Sequence, residues 1–388
     1  MRLYLFVLFL IFSGGLVAQN INGTLTHDGE ERTYTLYLPD AYTPGASLPL
    51  VINLHGFGSN SGEQRLYTSM NLTADTAGFI VVYPQGLARQ TVFGSFGESW
   101  NAGFGTDVDD VGFLSQLIDR LWTDYDIDLS RVYATGMSNG GYMSYELACS
   151  LSDRVAAVAS VTGSMTLTTF DACAPERPVP VLQFHGTADF VVAYNGIPLF
   201  SKPIEEVVDY WVGVNGCPTP ADTVAIADIA PNDGSTVTHL VYDSCQAQTD
   251  VEFYKIANGG HTWPGAFPLP AAGSTNQDIR ATPLIWQFFS RYTHPDPRPG
   301  TTLVSTAAGP AAAEFSVGPN PVVDRLSLRL PATHGKLLLT TAAGQLVRHQ
   351  RITTQQLRLP VGDLPAGLYY LTYQHETGRR YTQRFIKQ

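Results

Sequence analysis

The chain has 388 residues, of which 44% are hydrophobic, so it is long enough for one large domain with a sizeable core and a second, smaller one. Its 34 acidic side chains outnumber its 23 Lys and Arg side chains, and the net charge is −11. Nucleic acid is therefore not an expected partner, because a phosphate backbone is bound by clustered basic side chains.

The N-terminus has the pattern of a secretory signal peptide. Arg2 precedes a short apolar run, and small residues lead to Ala18. We therefore predict a signal peptide over residues 1–19, cut near Ala18. The apolar run is short for a membrane anchor, and no later stretch reaches about 18 apolar residues, so no membrane span is expected after signal removal.

Residues 20–293 alternate between strand and helix patterns. Asp28-Gly29 is a two-residue turn signal and predicts a hairpin. Helical spacing of apolar residues predicts one helix from Val111 to Trp122 and a last one from Ile279 to Tyr292. The continuous apolar segments predict buried strands: Leu48–Leu54, Phe79–Tyr83, the segment into Gly136, Val155–Val161, Val179–Phe184 and Val251–Ile256. Together they predict an α/β fold with a mostly parallel central sheet covered on both faces.

Three acidic residues, Asp107, Asp109 and Asp110, precede the first of these helices. Thr106 and Asp109 have the spacing of a capping box, and a helix N-terminus favours negative charge. We interpret the three carboxylates as helix-start charges. A calcium site formed by them is the alternative.

The segment Gly136-Met137-Ser138-Asn139-Gly140 joins a strand pattern to a helix pattern. Gly-x-Ser-x-Gly at such a junction is typical of the sharp turn that exposes a serine hydroxyl at the edge of a sheet. The two glycines are expected because a Cβ at either position would clash in so tight a turn. Ser138 is therefore the candidate nucleophile.

A serine hydroxyl needs a base that accepts its proton and an acid that orients the base. Asp189 and His261 follow later buried strands, in the chain order Ser, Asp, His that this motif favours. Both come after carboxyl ends of strands, where sites of such folds form. Asp209 is the rival acid, but it falls in a helix pattern. His185 is the rival base, but it sits at a strand end where a bond within the loop would occupy it.

An oxyanion hole needs two backbone N–H groups that point at one position. We predict the N–H of Asn139, which follows the nucleophile, and that of Phe57, in the loop after the first buried strand. The aromatic side chains of Trp100 and Trp263 are predicted to line the substrate pocket, because aromatic residues often line apolar clefts. For each tryptophan, a rim position that covers a helix is the alternative.

The four cysteines allow three disulfide pairings, and an exported protein can form them. Proximity in the chain favours Cys149 with Cys173 and Cys217 with Cys245. Their spacings lack the close pairs of a zinc site, so we expect structural disulfides and no metal.

The pattern changes twice towards the C-terminus. Thr219–Gln248 has the composition of a hairpin insertion, with a turn at residues 232–234. Residues 294–314 are rich in Pro, Gly, Ala and Thr and predict a linker. Residues 315–388 contain short alternating strands without helices, which predicts a small all-β sandwich module.

Several separated motifs in residues 24–292 resemble the secreted polyhydroxybutyrate (PHB) depolymerase and feruloyl esterase group of α/β-hydrolases. The matching segments are 27–29 with 32–34, 54–56, 108–113, 136–141, 185–189 and 260–265. The resemblance implies extracellular ester hydrolysis, with Ser138, Asp189 and His261 in the roles given above. Residues 315–388 resemble the sorting domain of the type IX secretion system, on segments 318–321, 364–371 and 384–387, which implies passage through an export machinery.

We therefore expect a secreted serine carboxylic-ester hydrolase that forms an acyl-enzyme and needs no cofactor. A PHB depolymerase-like substrate is the main hypothesis. A feruloyl or acetylxylan esterase acting on plant cell-wall polysaccharide is the alternative. A serine peptidase of the prolyl-oligopeptidase type is a weaker alternative, because the chain has no room for the propeller domain of those enzymes. A non-catalytic surface-binding protein is also weaker, because all three triad candidates are present.

Overall fold

A computed structural model describes residues 19–91, 94–298, 315–318, 321–330, 333, 335–341, 346–375 and 380–388. Residues 1–18 of the predicted signal peptide and 299–314 of the predicted linker lie outside these ranges. The chain divides into two units, residues 1–302 and 303–388, and each is described by itself.

The first unit combines strands and helices. Its described strands are β1 (Gln19–His27), β2 (Glu30–Leu38), β3 (Leu50–Leu54), β4 (Ile80–Pro84), β5 (Leu87–Thr91), β6 (Gly94–Ser99), β7 (Val132–Met137), β8 (Ala157–Val161), β9 (Val181–Gly186), β10 (Asp222–Ala225), β11 (Thr236–Tyr242) and β12 (Val251–Ala257). Its described helices are α1 (Ser61–Thr68), α2 (Met70–Ala77), α3 (Asp110–Tyr125), α4 (Asn139–Ser150), α5 (Leu167–Ala172), α6 (Ile204–Val214) and α7 (Ala281–Phe289).

One ten-stranded sheet organises this unit, in the order β1-β2-β4-β3-β7-β8-β9-β12-β11-β10. The strands from β4 to β12 in that order are parallel, and the flanking pairs are antiparallel. Side chains of α3, α4 and α6 pack on one face, and those of α2 and α7 pack on the other. The predicted α/β-hydrolase fold is confirmed, and the carboxyl ends of β3, β7, β9 and β12 share one edge of the sheet.

The hairpin predicted at the N-terminal end is present as β1 and β2, with His27 opposite Glu30. Asp28 has φ 50° and Gly29 has φ 79°. A two-residue hairpin turn whose twist matches the strands needs positive φ at both positions, which Asp-Gly tolerates. The second predicted hairpin is also present, with β10 antiparallel to β11.

The start of α3 differs from the predicted capping box. Asp109, and not Thr106, caps the helix, because its side chain accepts a 2.8 Å hydrogen bond from the N–H of Gly112. Asp110 points inward and forms a buried ion pair of 2.6 Å with Arg32. The exposed Asp109 and the buried Asp110 therefore serve different contacts, and the calcium site at these carboxylates is not supported.

The second unit consists of two antiparallel sheets. Its described strands are β13 (Ser316–Gly318), β14 (Arg325–Arg329), β15 (Gly335–Thr341), β16 (Leu346–Ile352), β17 (Gln356–Pro360), β18 (Gly367–His375) and β19 (Arg380–Lys387). The sheet orders are β13-β14-β17 and β16-β15-β18-β19. Both sheets contribute to one core, with Leu326 from the first and Leu337 and Leu371 from the second. The predicted all-β module is confirmed.

Each disulfide joins two cysteines that are consecutive among the four in the sequence. Cys149 is bonded to Cys173 and Cys217 to Cys245, which is the pairing favoured by the sequence. The first joins the C-terminal end of α4 to the residue after α5. Across the described ranges, the helices fall short of the length and apolar character that crossing a bilayer requires.

Candidate active site

Ser138 lies in a strained turn between β7 and α4. Its backbone has φ 55° and ψ −120°, a conformation that residues other than glycine rarely adopt. A Cβ added at Gly140 would lie 2.2 Å from the carbonyl oxygen of Leu54, and one at Gly136 would lie 2.7 Å from the same atom. The end of β3 therefore presses against the turn, which explains why both flanking positions are glycine.

His261 and Asp189 are joined by a hydrogen bond of 2.8 Å between Nδ1 and Oδ2. The other carboxylate oxygen of Asp189 accepts from the N–H groups of Val191 and Val192, at 2.9 and 2.8 Å. The carboxylate is buried, and these backbone donors hold it in one orientation. The backbone N–H of His261 donates to the carbonyl of Ala272 at 2.7 Å, which fixes the position of this residue. Because Nδ1 is bonded to Asp189, Nε2 is the ring nitrogen that points away from the carboxylate.

The rival residues are not placed for the same chemistry. His185 is fully buried, and its two ring nitrogens are bonded to the carbonyl of Val192 at 2.8 Å and to the amide of Gln183 at 3.0 Å. Burial lowers the pKa of His185 to about 4, so the ring is neutral near neutral pH. Asp209 lies within α6 on an exposed position.

Ser138 and His261 line one pocket of about 410 Å³ at the carboxyl edge of the sheet. Within the described part of the chain, no hydrogen bond joins the Ser138 hydroxyl to His261. Such bonds are often long before substrate binds. The remaining wall is mostly apolar and comes from the loop after β3, from α1 and from the loop after His261. Its residues are Gly56, Phe57, Ser59, Glu63, Gln64, Leu66, Tyr67, Met137, Phe267 and Leu269.

Of the two residues predicted to supply the oxyanion hole, Phe57 lines the pocket and Asn139 directly follows Ser138. Phe57 lies in its wall, beside Gly56. A Cβ added at Gly56 would be 3.4 Å from the Cβ of Ser138, so this loop runs directly beside the turn. Asn139 is the first residue of α4, and an N–H in the first turn of a helix has no partner within the helix.

Neither predicted pocket tryptophan lines the pocket, which corrects the sequence-based expectation. Trp100 and Trp263 are each 1% exposed. The indole N–H of Trp100 donates to the carbonyl of His55 at 3.0 Å, and that of Trp263 donates to the hydroxyl of Thr282 at 3.0 Å. A buried indole needs such a partner: the ring of Trp100 is bonded to the start of the loop after β3, and that of Trp263 to the first turn of α7.

Most of the pocket wall consists of residues that no motif marks in the sequence, above all Gln64, Tyr67 and Phe267. The start of α1 has a signal in the sequence, because Asn is a favoured N-cap residue. In the structure, Asn60 accepts a hydrogen bond from the N–H of Glu63, as an N-cap residue does. The position of α1 beside Ser138 was not detectable, because it depends on how the loop after β3 folds back.

A group of possible metal ligands lies elsewhere. Among the described residues, His27, Asp28 and Asp109 have ligand atoms within 4.8 Å of one another. His27 Nε2 is already bonded to Asp109 at 3.1 Å, and its Nδ1 to Gln116 at 2.9 Å. These contacts account for the cluster without an ion, and none of its members lines the pocket.

Comparison with known families identifies both units. The family model for esterase PHB depolymerase matches residues 32–193. The model for the secretion system C-terminal sorting domain matches residues 316–388. The second match assigns the protein to the cell surface or the extracellular space.

Among relatives, feruloyl esterase C of Emericella nidulans is 30% identical over 280 residues, which cover 69% of this chain and 86% of that protein. The chain belongs to the PHB depolymerase and feruloyl esterase family. A bifunctional acetylxylan esterase/xylanase of Neocallimastix patriciarum is 29% identical over 275 residues, covering 71% of this chain. The matched part spans 35% of that longer relative. A solved thermostable esterase superposes with a TM-score of 0.47 at 16% identity, covering 71% of this chain and 63% of its own.

Proposed function

We propose that the protein is a secreted serine carboxylic-ester hydrolase that works through an acyl-enzyme. One observation carries the proposal: Ser138, on its strained turn, shares a pocket with an imidazole that is hydrogen-bonded to a buried carboxylate. This is the arrangement that activates a serine hydroxyl.

In the first half-reaction, the Oγ of Ser138 attacks the ester carbonyl while Nε2 of His261 takes the hydroxyl proton. Asp189 accepts the Nδ1–H bond, which keeps Nε2 unprotonated before the attack and stabilises the imidazolium after it. The N–H groups of Asn139 and Phe57 stabilise the oxyanion. His261 then returns its proton to the leaving alcohol, and the acyl-enzyme remains.

In the second half-reaction, water replaces the alcohol. His261 accepts a proton from the water, whose oxygen attacks the acyl carbon, and the same proton then returns to Oγ of Ser138 as the acid departs. Each cycle consumes one ester and one water and yields one acid and one alcohol. The residues of the chain are sufficient for this chemistry.

The apolar wall favours a neutral ester over a charged one. Three apolar side chains that line the pocket are at least half exposed: Phe57 at 50%, Leu66 at 66% and Phe267 at 58%. Such a surface suits an aliphatic hydroxyalkanoate ester, as the PHB depolymerase hypothesis requires. A feruloyl or acetylxylan ester is the second candidate, and the feruloyl esterase C relative, which this chain covers over 86% of its length, favours it.

Substitution of the nucleophile tests the proposal. We expect Ser138→Ala to lower kcat for p-nitrophenyl butyrate by at least about 10⁴-fold, because the acyl-enzyme cannot form. Ser150→Ala, at the far end of the same helix, is the matched control and should retain wild-type turnover. Full hydrolysis by Ser138→Ala would overturn the proposal.

We also propose that residues 315–388 engage the export machinery. The match of this unit to a secretion-sorting domain supports the proposal. Deletion of residues 315–388 should leave active enzyme inside the cell, as measured by esterase activity in cell and medium fractions. Unchanged release into the medium would contradict it.

A further inference from the structure

One carboxylate oxygen of Asp189 lies between two imidazoles. Its Oδ2 is 2.8 Å from Nδ1 of His261 and 3.5 Å from Nε2 of His185. The side chains of Asp189 and His185 are both fully buried. The proposed reaction uses His261 and leaves His185 without a role. A second titratable ring against a buried carboxylate matters, because its charge and its hydrogen bonds act directly on that carboxylate.

The hydrogen bonds around Gln183 fix the tautomer of His185. The carbonyl of Gly163 lies 2.9 Å from the Gln183 amide and can only accept, so the NH₂ end of that amide faces it. The Tyr145 hydroxyl donates to the remaining atom of the amide, Oε1, at 2.8 Å. The same NH₂ group lies 3.0 Å from Nδ1 of His185, which therefore accepts. The proton of the neutral ring is then on Nε2.

This tautomer lets His185 support the turn that holds Asp189. Its Nε2–H donates to the carbonyl of Val192 at 2.8 Å, and the N–H of Val192 donates to Oδ1 of Asp189 at 2.8 Å. The same ring N–H lies beside Oδ2, where its dipole stabilises negative charge. The ring therefore acts on both oxygens of the carboxylate, directly on Oδ2 and through Val192 on Oδ1.

The surroundings of His185 also keep it neutral. A proton on Nδ1 would point at the NH₂ group of Gln183, and burial lowers the pKa of the ring to about 4. The charged groups that act on the ring are Asp189 and, beyond it, His261. The ring of Tyr194 lies 6.1 Å away, and burial raises its pKa, so this phenol carries no charge. Near neutral pH the His185 ring thus contributes hydrogen bonds and no charge.

We propose that His185 is a positioning residue for the esterase reaction, which acts through Asp189 and leaves the positive charge to His261. The inference rests on the proposed serine esterase function. In both half-reactions His261 becomes an imidazolium, and the carboxylate stabilises it only while oriented towards Nδ1. A cationic ring at position 185 would compete for the same oxygen and repel the imidazolium. A neutral ring with its proton on Nε2 avoids this conflict and still holds the carboxylate in place.

Two substitutions of His185 separate its hydrogen bonds from its ring. Glutamine offers an acceptor to Gln183 and an N–H donor to Val192 without titrating, whereas leucine offers neither. We expect His185→Leu to lower kcat for p-nitrophenyl butyrate by about 10²-fold at a KM within about twofold of wild type, because only transition-state stabilisation is lost. His185→Gln should keep kcat within about threefold, and its pH profile of kcat/KM should overlay that of wild type.

His294→Leu is the matched control. His294 is also buried, and its ring is bonded to a backbone carbonyl, that of Ser152 at 3.0 Å. This variant should keep wild-type kcat per folded chain, with the folded fraction taken from circular dichroism. If His185→Leu does not fold, His185→Asn replaces it, because asparagine is too short to reach Val192 and should show the same loss of kcat.

Proton NMR measures the orientation of the carboxylate without substrate. The Nδ1–H signal of His261 should move to higher field in His185→Leu, because its hydrogen bond to Asp189 lengthens, and should stay in place in His185→Gln and His294→Leu. A signal that does not move in His185→Leu would contradict the positioning role.

Three kinetic results would also overturn the inference: wild-type kcat in His185→Leu, a loss in His185→Gln as large as that in His185→Leu, or an equal loss in His294→Leu. In each of these cases the serine esterase function stands, provided that Ser138→Ala is inactive. Hydrolysis that persists in Ser138→Ala would instead refute the proposed function itself.

Discussion

The side chain of Asn139 is hydrogen-bonded in both directions to the backbone of Trp100. Its Nδ2 donates to the carbonyl of Trp100 at 3.0 Å, and its Oδ1 accepts from the N–H of Trp100 at 2.7 Å. The indole of Trp100 in turn donates to the carbonyl of His55, next to Gly56. These bonds connect the turn that carries Ser138 to the loop that carries Phe57, so the two proposed oxyanion donors are held by one set of contacts.

Asn139→Ala keeps the backbone N–H of residue 139 but removes both bonds to Trp100. We expect kcat for p-nitrophenyl butyrate to fall by about 10²-fold with a smaller change in KM, because misplaced oxyanion donors weaken transition-state binding. Asn22→Ala, which removes an exposed bond to Thr35, is the control and should behave as wild type. An Asn139→Ala enzyme with unchanged kcat would show that this clamp has no part in positioning the donors.

Asp189→Asn should lower kcat by about 10⁴-fold, because an amide in place of the carboxylate favours the wrong tautomer of His261. The two backbone bonds to Val191 and Val192 can still form, so the fold should persist, as far-ultraviolet circular dichroism would check. Asp209→Asn on α6 is the matched control. A loss of activity in Asp209→Asn and not in Asp189→Asn would reverse the assignment of the acid.

The buried His185 makes stability depend on pH in a stated direction. Burial lowers its pKa from 6.5 to about 4 in the folded state. Between these values the unfolded chain binds the proton and the folded protein does not. The free energy of unfolding therefore falls as pH decreases below about 6.5, by at most about 1.4 kcal/mol per pH unit from this group.

Urea unfolding of wild type and His185→Gln between about pH 7 and pH 5 measures this contribution. The variant should show the shallower dependence, because its amide does not titrate. Asp189 lies 3.5 Å from His185 and is retained in both proteins, so its charge does not separate them. Parallel curves for the two proteins would contradict the burial argument.

The disulfide between Cys217 and Cys245 closes a segment with a sequence separation of 28 residues around the β10–β11 hairpin. Cys217→Ser combined with Cys245→Ser should lower the free energy of unfolding by about 2–4 kcal/mol, since the unfolded chain gains freedom when the loop is open. Chemical denaturation under non-reducing conditions checks this value. Equal stability of the variant and wild type would show that the loop is held by other contacts.

Local patterns were enough to predict the elements that carry Ser138, Asp189 and His261. Each candidate follows a strand that is buried on both faces, and such strands have continuous apolar sequences. The turn at Asp28-Gly29 was predictable for a similar reason, because few residues tolerate positive φ. In these cases the residues that determine the local structure lie within a few positions of it in the sequence.

The pocket wall could not be predicted in the same way. Trp100 and Trp263 are aromatic residues near site motifs, yet each packs inward because a distant acceptor, His55 or Thr282, satisfies its indole. Gln64 is ordinary in sequence, and its amide is held in the wall by Asn53, eleven positions earlier on another element. Contacts that join elements far apart in the chain leave no periodicity or spacing in the sequence.

The most direct measurement of the central claim is the intact mass of the protein after incubation with a fluorophosphonate ester, which phosphonylates an activated serine. We expect one adduct per chain, mapped to Ser138 by peptide analysis, and none in Ser138→Ala. Asp189→Asn should react far more slowly than wild type. No adduct on the folded wild-type protein, or an adduct on a different serine, would show that Ser138 is not the activated nucleophile.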